Sequence, residues 1–225
     1  VSWYAKIMPL RGLNPIGFYT DLANSILYAA DNGADILNMS WGGGSPSDTI
    51  SDAIDYAYGL GVVQVASAGN YSAPVSFFIP AGLPHVIAVA AWQADETRPE
   101  WSNFGNLIDF TAPGVDILSL RALGTDMYLD SEGYSPGERF VPPFDPEAKY
   151  YRADGTSMAA PHVSGVAALV LSIAPVFSQD LVELILEVTA EDVLDPGKDI
   201  YSGYGLVDPQ AALTLTQSMI NPLLP

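Results

Sequence analysis

Gly155-Thr156-Ser157-Met158-Ala159-Ala160-Pro161-His162-Val163-Ser164-Gly165, running on into Val166-Ala167-Ala168-Leu169-Val170-Leu171, puts a turn of small residues and a serine at the mouth of a strongly apolar helix. The first N–H groups of a helix have no intrahelical acceptor, and its dipole is positive at that end. Whatever Ser157 carries would therefore meet amides suited to a developing oxyanion. Two readings stand here. Ser157 is a nucleophile, or Thr156 or Ser157 only caps a buried helix, since Ser and Thr are ordinary capping residues.

Working outward, Asp35-Ile36-Leu37-Asn38-Met39-Ser40-Trp41-Gly42-Gly43 and Val62-Val63-Gln64-Val65-Ala66-Ser67-Ala68-Gly69-Asn70 read as buried strands that end in small residues. Their near-continuous apolar character implies cover on both faces, as in α/β layering. A strand over 3–10, a helix from Tyr19 to Asn32 closed by Gly33, a strand over 34–41, a helix over 47–59 and strands over 61–68 and 85–92 alternate in a βαβ pattern that implies a parallel sheet. Helices over 157–173, 178–189 and 208–217 follow. The 225 residues, 49% hydrophobic and undivided by any Pro/Gly/Ser-rich linker, are read as one domain, 1–225.

The 26 acidic and 8 basic residues give a net charge of −18. That balance argues against nucleic acid or an anionic membrane as partner and favours a solvated acidic surface. Cysteine is absent, so there is neither a disulfide framework nor thiolate chemistry. No run of 18 apolar residues and no signal-peptide pattern is present.

Three segments carry a family resemblance: SxGG at Ser40–Gly43, AxxGN at Ala66–Asn70 and GTSMAxPH at Gly155–His162. They occur in the order found in subtilisin-like serine proteases (subtilases, peptidase S8), and the chain resembles that family over nearly its whole length. The resemblance implies a three-layer α/β subtilisin-like fold with a mostly parallel central sheet, lacking its N-terminal strands. It makes Ser157 the nucleophile, with the Asn70 side chain and the Ser157 N–H as oxyanion donors. The strand edge at Ser40, Trp41 and Gly42 would bind an extended peptide or protein substrate. Ser67, Ala68 and Gly69 would form a small wall, with room for a large apolar side chain, beside the residue preceding the scissile bond. Tyr71, where many relatives have an acidic residue, argues against a Lys or Arg preference. Trp41 either narrows a neighbouring pocket or packs in the core. Pro80 aligns with a proline that is cis in relatives.

The resemblance also exposes a gap. The family orders its catalytic residues Asp, His, Ser, yet neither a D-[ST]-G strand end nor an H-G-T-H helix start occurs here. Of the two histidines, His162 lies five residues past Ser157 on the same helix and points away from it. His85 reads as a strand-entry residue. The chain is thus expected to be a partial catalytic domain, truncated at its N-terminus. In the family, the strand matching 3–10 is internal. Its edge would be open here, predicting a homo-oligomer or association with a missing N-terminal fragment. Three functions follow: a serine endopeptidase whose Asp and His lie elsewhere, a truncated hydrolase with weak esterase or peptidase activity, or an inactive peptide-binding module.

No cofactor is expected to be required. The resemblance allows weakly bound Ca²⁺ or Na⁺ at the carbonyls of Ala81, Leu83 and Val86 with an acidic residue near Asp109, and it implies secretion to the cell exterior. An insertion rich in aromatic, acidic, Pro and Gly residues, about 123–152, is expected to be an extended surface loop near the site.

Overall fold

In the computed structural model, which describes residues 1–13, 17–44, 46–122 and 137–221, the apolar periodicity of the sequence resolves into layers. Helix α1 (Tyr19–Asp31) buries Leu22, Ala23, Ile26, Ala29 and Ala30, and α2 (Asp48–Gly59) buries Ile50, Ala53, Ile54 and Ala57. Both sets recur at helical spacing and so form one stripe. Each helix passes through a left-handed glycine, Gly33 (φ 76°) or Gly61 (φ 83°), into the strand that follows. These strands are β1 (Ile36–Met39) and β2 (Val63–Ser67), and β3 (Ile87–Trp92) and β4 (Phe110–Pro113) complete a parallel sheet in the order β1-β2-β3-β4. The register aligns Ile36 with Val63, Val65 with Ile87 and Val89 with Phe110.

Side-chain size is matched across the two faces. Towards α1 and α2 the sheet presents Ala66, Ala68, Ala88 and Ala90, against which the larger Leu22, Ile26, Ile50 and Ile54 pack. On the other face, Val63, Val65, Ile87, Val89 and Phe110 meet the small Ala159, Ala160 and Ala167 of helix α3 (Thr156–Ile173). Large against small lets each layer interdigitate at crystal-like density. Helices α4 (Gln179–Thr189) and α5 (Pro209–Ile220) complete that layer, capped by Ser178 and Asp208, whose side chains accept first-turn N–H groups. By length and composition α3 could cross a membrane, but here it lies on the sheet, with Val163, Val166, Ala167 and Val170 buried.

Three expectations are corrected. Residues 3–10 form no strand, and Trp3 and Tyr4 stand 94% and 100% exposed. An apolar segment does not make a strand without a neighbour to pair with. Among the described residues the free edge of the sheet belongs instead to β1, which pairs only with β2. The sheet also gains β4, which apolar patterning alone does not reveal. Finally, the insertion is not simply a loop. Within and just before it lie β5 (Ile117–Leu120), β6 (Phe140–Val141) and β7 (Tyr150–Ala153), an antiparallel sheet in the order β5-β7-β6. Phe140, Ala148, Tyr151 and Ala153 form its own small core, with Met158 packed against it. Positions 123–136, including Tyr128 and Tyr134, lie outside the described residues. The Ile79–Pro80 bond is cis, as the resemblance implied.

Candidate active site

Parallel sheets gather binding groups at the carboxyl ends of their strands, and the small-residue segments meet there. Ser40 follows β1, Gly69 and Asn70 follow β2, and the Gly114 carbonyl beyond β4 accepts the Gly155 N–H at 2.8 Å. Gly155 is the N-cap of α3 at φ 146°, a conformation that suits glycine, and a Cβ there would come within 3.3 Å of Asn70 Nδ2. No side chain caps α3 among the described residues. Neither the Thr156 nor the Ser157 hydroxyl is therefore a helix cap, which removes the purely capping reading of the opening segment.

The Ser157 hydroxyl donates instead to the Ser40 carbonyl at 3.3 Å, and the Ser40 hydroxyl donates to the Ser157 carbonyl at 2.8 Å. Pro161 explains the second bond. It stands four residues beyond Ser157 inside α3 and has no N–H, so the Ser157 carbonyl lacks its helical donor and is open to Ser40. At 3.3 Å the Ser157 Oγ bond is long for an O–H···O contact, and the hydroxyl is weakly held.

Thr156, wholly buried, ties the Asn70 side chain in place. Its N–H and its hydroxyl both donate to Asn70 Oδ1 at 2.9 Å, and the same hydroxyl accepts the Gly69 N–H at 3.0 Å. With the carboxamide oxygen held by two donors, the Nδ2 end is directed elsewhere. It lies beside the Gly155 turn, next to the first turn of α3 that carries the Ser157 N–H. The Asn70 Nδ2 and the Ser157 N–H thus both border the Gly155 turn, lying 3.3 Å and 3.6 Å from where a Cβ on that glycine would stand, as a pair of donors of the kind an oxyanion takes.

Trp41 is half-buried and packs against the core under α1 and α2, while Gly42 is exposed. The chain is held there by the Gly43 N–H, which donates to the Ile79 carbonyl at 3.1 Å. Ser67 and Ala68 are buried and Gly69 is half-buried. Two residues that sequence reasoning missed act on this wall. Phe78 stacks on Tyr71 with ring centroids 5.4 Å apart, and its Cδ1 would lie 3.4 Å from a Cβ at Gly69. The stacked pair thus stands beside the Gly69 end of the wall. Asn103, wholly buried, hydrogen-bonds the loop around Asn70. The cue for it is a polar Ser102-Asn103 pair between the aromatic Trp101 and Phe104, an unusual place for polar residues unless they are bonded.

Neither histidine faces the serine. His162 Nδ1 contacts its own helix, the Met158 carbonyl at 2.8 Å. His85 sits at the opposite end of the sheet, before β3, with its ring stacked on Tyr58 at 3.7 Å and its carbonyl receiving Gln64 and Gln179. As for a cation, Asp109 Oδ1 accepts from the Lys198 ammonium at 3.0 Å and Oδ2 from the Ala88 N–H at 2.9 Å. A metal ion on this carboxylate would have to compete with the ammonium.

β7 leads straight into the serine turn. Burial pushes the Asp154 carboxyl up. The Arg139 hydrogen bond at 2.5 Å, the Asp116 N–H at 2.6 Å and the Arg139 charge outweigh that and hold it below its ordinary value.

Residues 1–205 match the subtilase family, peptidase S8. The chain belongs to this family. It is 38% identical to an extracellular protease of Xanthomonas campestris pv. campestris over 95% of its own length, but spans only 36% of that protein. It is 35% identical to subtilisin DY of Bacillus licheniformis, covering 94% of itself and 68% of that protein. The crystal structure of fervidolysin from Fervidobacterium pennivorans, a keratinolytic enzyme related to subtilisin, superimposes with a TM-score of 0.72 at 39% identity, covering 87% of this subtilase and 29% of fervidolysin. The family is one of subtilisin-like serine peptidases, and the α/β architecture of this subtilase is the subtilisin-like one.

Proposed function

We propose that this subtilase supplies the nucleophile and oxyanion half of an endopeptidase site, hydrolysing peptide bonds through an acyl-enzyme on Ser157. The observation that carries the reading is that the Nδ2 end of Asn70, its oxygen fixed by Thr156, shares the Gly155 turn with the N–H of Ser157, the residue whose hydroxyl is only weakly held. Ser157 Oγ attacks the scissile carbonyl carbon and loses its proton to a base. The carbonyl oxygen becomes an oxyanion held by the Ser157 N–H and Asn70 Nδ2. The intermediate collapses and expels the amine, which takes the proton, and water then releases the acyl group.

The base comes from outside this chain's own histidines, because His85 and His162 are both engaged elsewhere. A separate N-terminal segment carrying Asp and His and docking along the free edge of β1 is the partner that fits, and the exposed Trp3, Tyr4 and Ile7 offer it apolar surface. Substrate would lie extended along Ser40, Trp41 and Gly42. Phe78, beside the Gly69 end of the wall of Ser67, Ala68 and Gly69, would narrow the space before the scissile bond and favour a small side chain there. The name of the Xanthomonas relative supports an extracellular setting.

The test exposes the chain and Ser157→Ala to a fluorophosphonate and to chromogenic esters of N-acyl alanine and phenylalanine, with intact-mass analysis of the preparation. Labelling and turnover that vanish in the variant, with alanine preferred, are expected. No labelling of a single intact 225-residue species would leave a peptide-binding module in place of an enzyme. A phenylalanine preference would remove the role given to Phe78.

A further inference from the structure

We propose that Asn103 is the positioning residue of the oxyanion donor, holding the loop that presents Asn70 without touching Asn70 itself. The inference rests on Asn70 acting as that donor.

The side chain of Asn103 is wholly buried and spends its hydrogen-bonding capacity on one short stretch. Its Oδ1 accepts the N–H of Tyr71 at 2.9 Å and of Ala73 at 3.1 Å, and its Nδ2 donates to the Ala68 carbonyl at 2.8 Å. Its own N–H donates to the Gly69 carbonyl at 2.9 Å. Residues 68, 69, 71 and 73 are therefore fastened on both sides of residue 70. The fit is close enough to demand glycine next door, since a Cβ at Gly69, which stands at φ 104°, would strike Asn103 Nδ2.

A clamp is useful only if it is itself fixed. The Ser102 hydroxyl accepts the Ala91 N–H of β3 at 3.0 Å, and the Arg98 guanidinium donates to the Ser102 carbonyl. The Ser72 N–H donates to the Trp101 carbonyl at 2.9 Å, the Phe104 N–H to the Ala73 carbonyl at 3.1 Å and the Val75 N–H to the Phe104 carbonyl at 2.7 Å. The loop between β3 and β4 thus transfers the rigidity of the central sheet to the Asn70 turn. The chemistry selects asparagine: two amides need a single acceptor with two lone pairs, and one carbonyl needs a donor on the same short side chain. Aspartate would keep the acceptors and turn a carboxylate oxygen on the Ala68 carbonyl. Thr156 and Asn103 divide the task, Thr156 setting the roll of the Asn70 carboxamide and Asn103 its backbone.

Geometry errors of about 1 Å at a reacting group can cost on the order of 100-fold in rate. In the 225-residue chain assayed on the chromogenic ester, Asn103→Ala is expected to lower kcat about 10- to 100-fold, with KM changed less than about 3-fold. The deciding comparison is a double-mutant cycle with Asn70→Ala. If Asn103 acts through Asn70, Asn70→Ala/Asn103→Ala turns over no more slowly than Asn70→Ala. Losses that multiply would overturn the proposal. If Asn103→Ala does not fold, Asn103→Asp, which retains both amide acceptors, takes its place in the cycle with the same two outcomes. The Asn70 side-chain amide resonance supplies a readout that needs no turnover. It is expected to move in the Asn103 variant and to stay in place in Ile54→Val, a core control. An unmoved resonance overturns the proposal even if ester turnover by the parent chain is absent, a result that would count against the role of Ser157 and not against this one.

Discussion

Thr156 is the residue on which the geometry around Ser157 turns. One buried hydroxyl accepts from Gly69 and donates to Asn70, and the N–H of the same residue meets the same Asn70 oxygen. Valine has nearly the same shape and none of the hydrogen bonding, so Thr156→Val isolates the polar contribution. It leaves the Gly69 N–H unpaired in a part-buried place and allows the Asn70 carboxamide to turn. We expect a loss of about 1–3 kcal/mol in stability and roughly a 10-fold fall in ester turnover, within the range for a weakened oxyanion donor. Thr156→Ser keeps the hydroxyl and should stay near the parent in both. Thermal melts and kcat check this, and equal effects of valine and serine would refute the polar account. Small residues at strand and helix ends serve equally as caps and turns, so Gly155-Thr156-Ser157 and Gly69-Asn70 were legible in the sequence through the family motifs they resemble. Asn103 and Phe78 were not, because their importance lies in what they touch across the fold.

Among the elements, what the sequence shows depends on how each element is made. Helices carry their own hydrogen bonds, so α1, α2, α4 and α5 appear where apolar spacing and the Ser178 and Asp208 caps put them. Strands exist only by pairing. β4 is short, ends in Pro113 and follows a loop, and it becomes a strand through its register with β3. Residues 3–10 have the apolar residues but no strand beside them. The antiparallel sheet shows the same dependence, and its link to the serine turn is an ion pair: Arg139 to Asp154, whose other oxygen takes the Asp116 N–H, with Arg152 paired to Asp116 at 2.7 Å. Arg139→Gln should loosen β6 and β7 first. Hydrogen exchange is expected to quicken about 10-fold or more at Tyr151 and Arg152 while Val65 and Val89 in the parallel sheet stay protected. Uniform acceleration in both sheets would mean that the small sheet is not a separate cooperative unit.

For the molecule as a whole, the net charge of −18 makes a buried carboxylate without a dominant cationic partner a liability as pH rises, and such groups gather at the end of the sheet away from Ser157. Glu183 of α4 is pushed up to about 7, first by burial and then by the charges of Asp109 and Asp180, against the opposing Lys198 ammonium and the Gln179 hydrogen bond. Burial likewise raises Asp109 despite its bonds to Ala88 and Lys198. Between the ordinary glutamate value of 4.5 and about 7 the folded chain holds a proton on Glu183 that the unfolded chain has released, so stability falls as pH rises through that window. Asp154 acts in the opposite sense, since its folded value is depressed and its contribution is lost only as pH drops below the ordinary carboxylate range. A tenfold change in proton affinity is worth about 1.4 kcal/mol, and water still reaches part of Glu183, so the loss between about pH 5 and pH 8 should be on the order of 2 kcal/mol. For a chain of this size that corresponds to a Tm lower by about 4–8 °C at the upper end of that interval than at the lower. Glu183→Gln removes the titrating group and should flatten most of that slope. A Tm that holds level or climbs over the same interval in the parent chain would show that the Lys198 ammonium outweighs burial at this cluster.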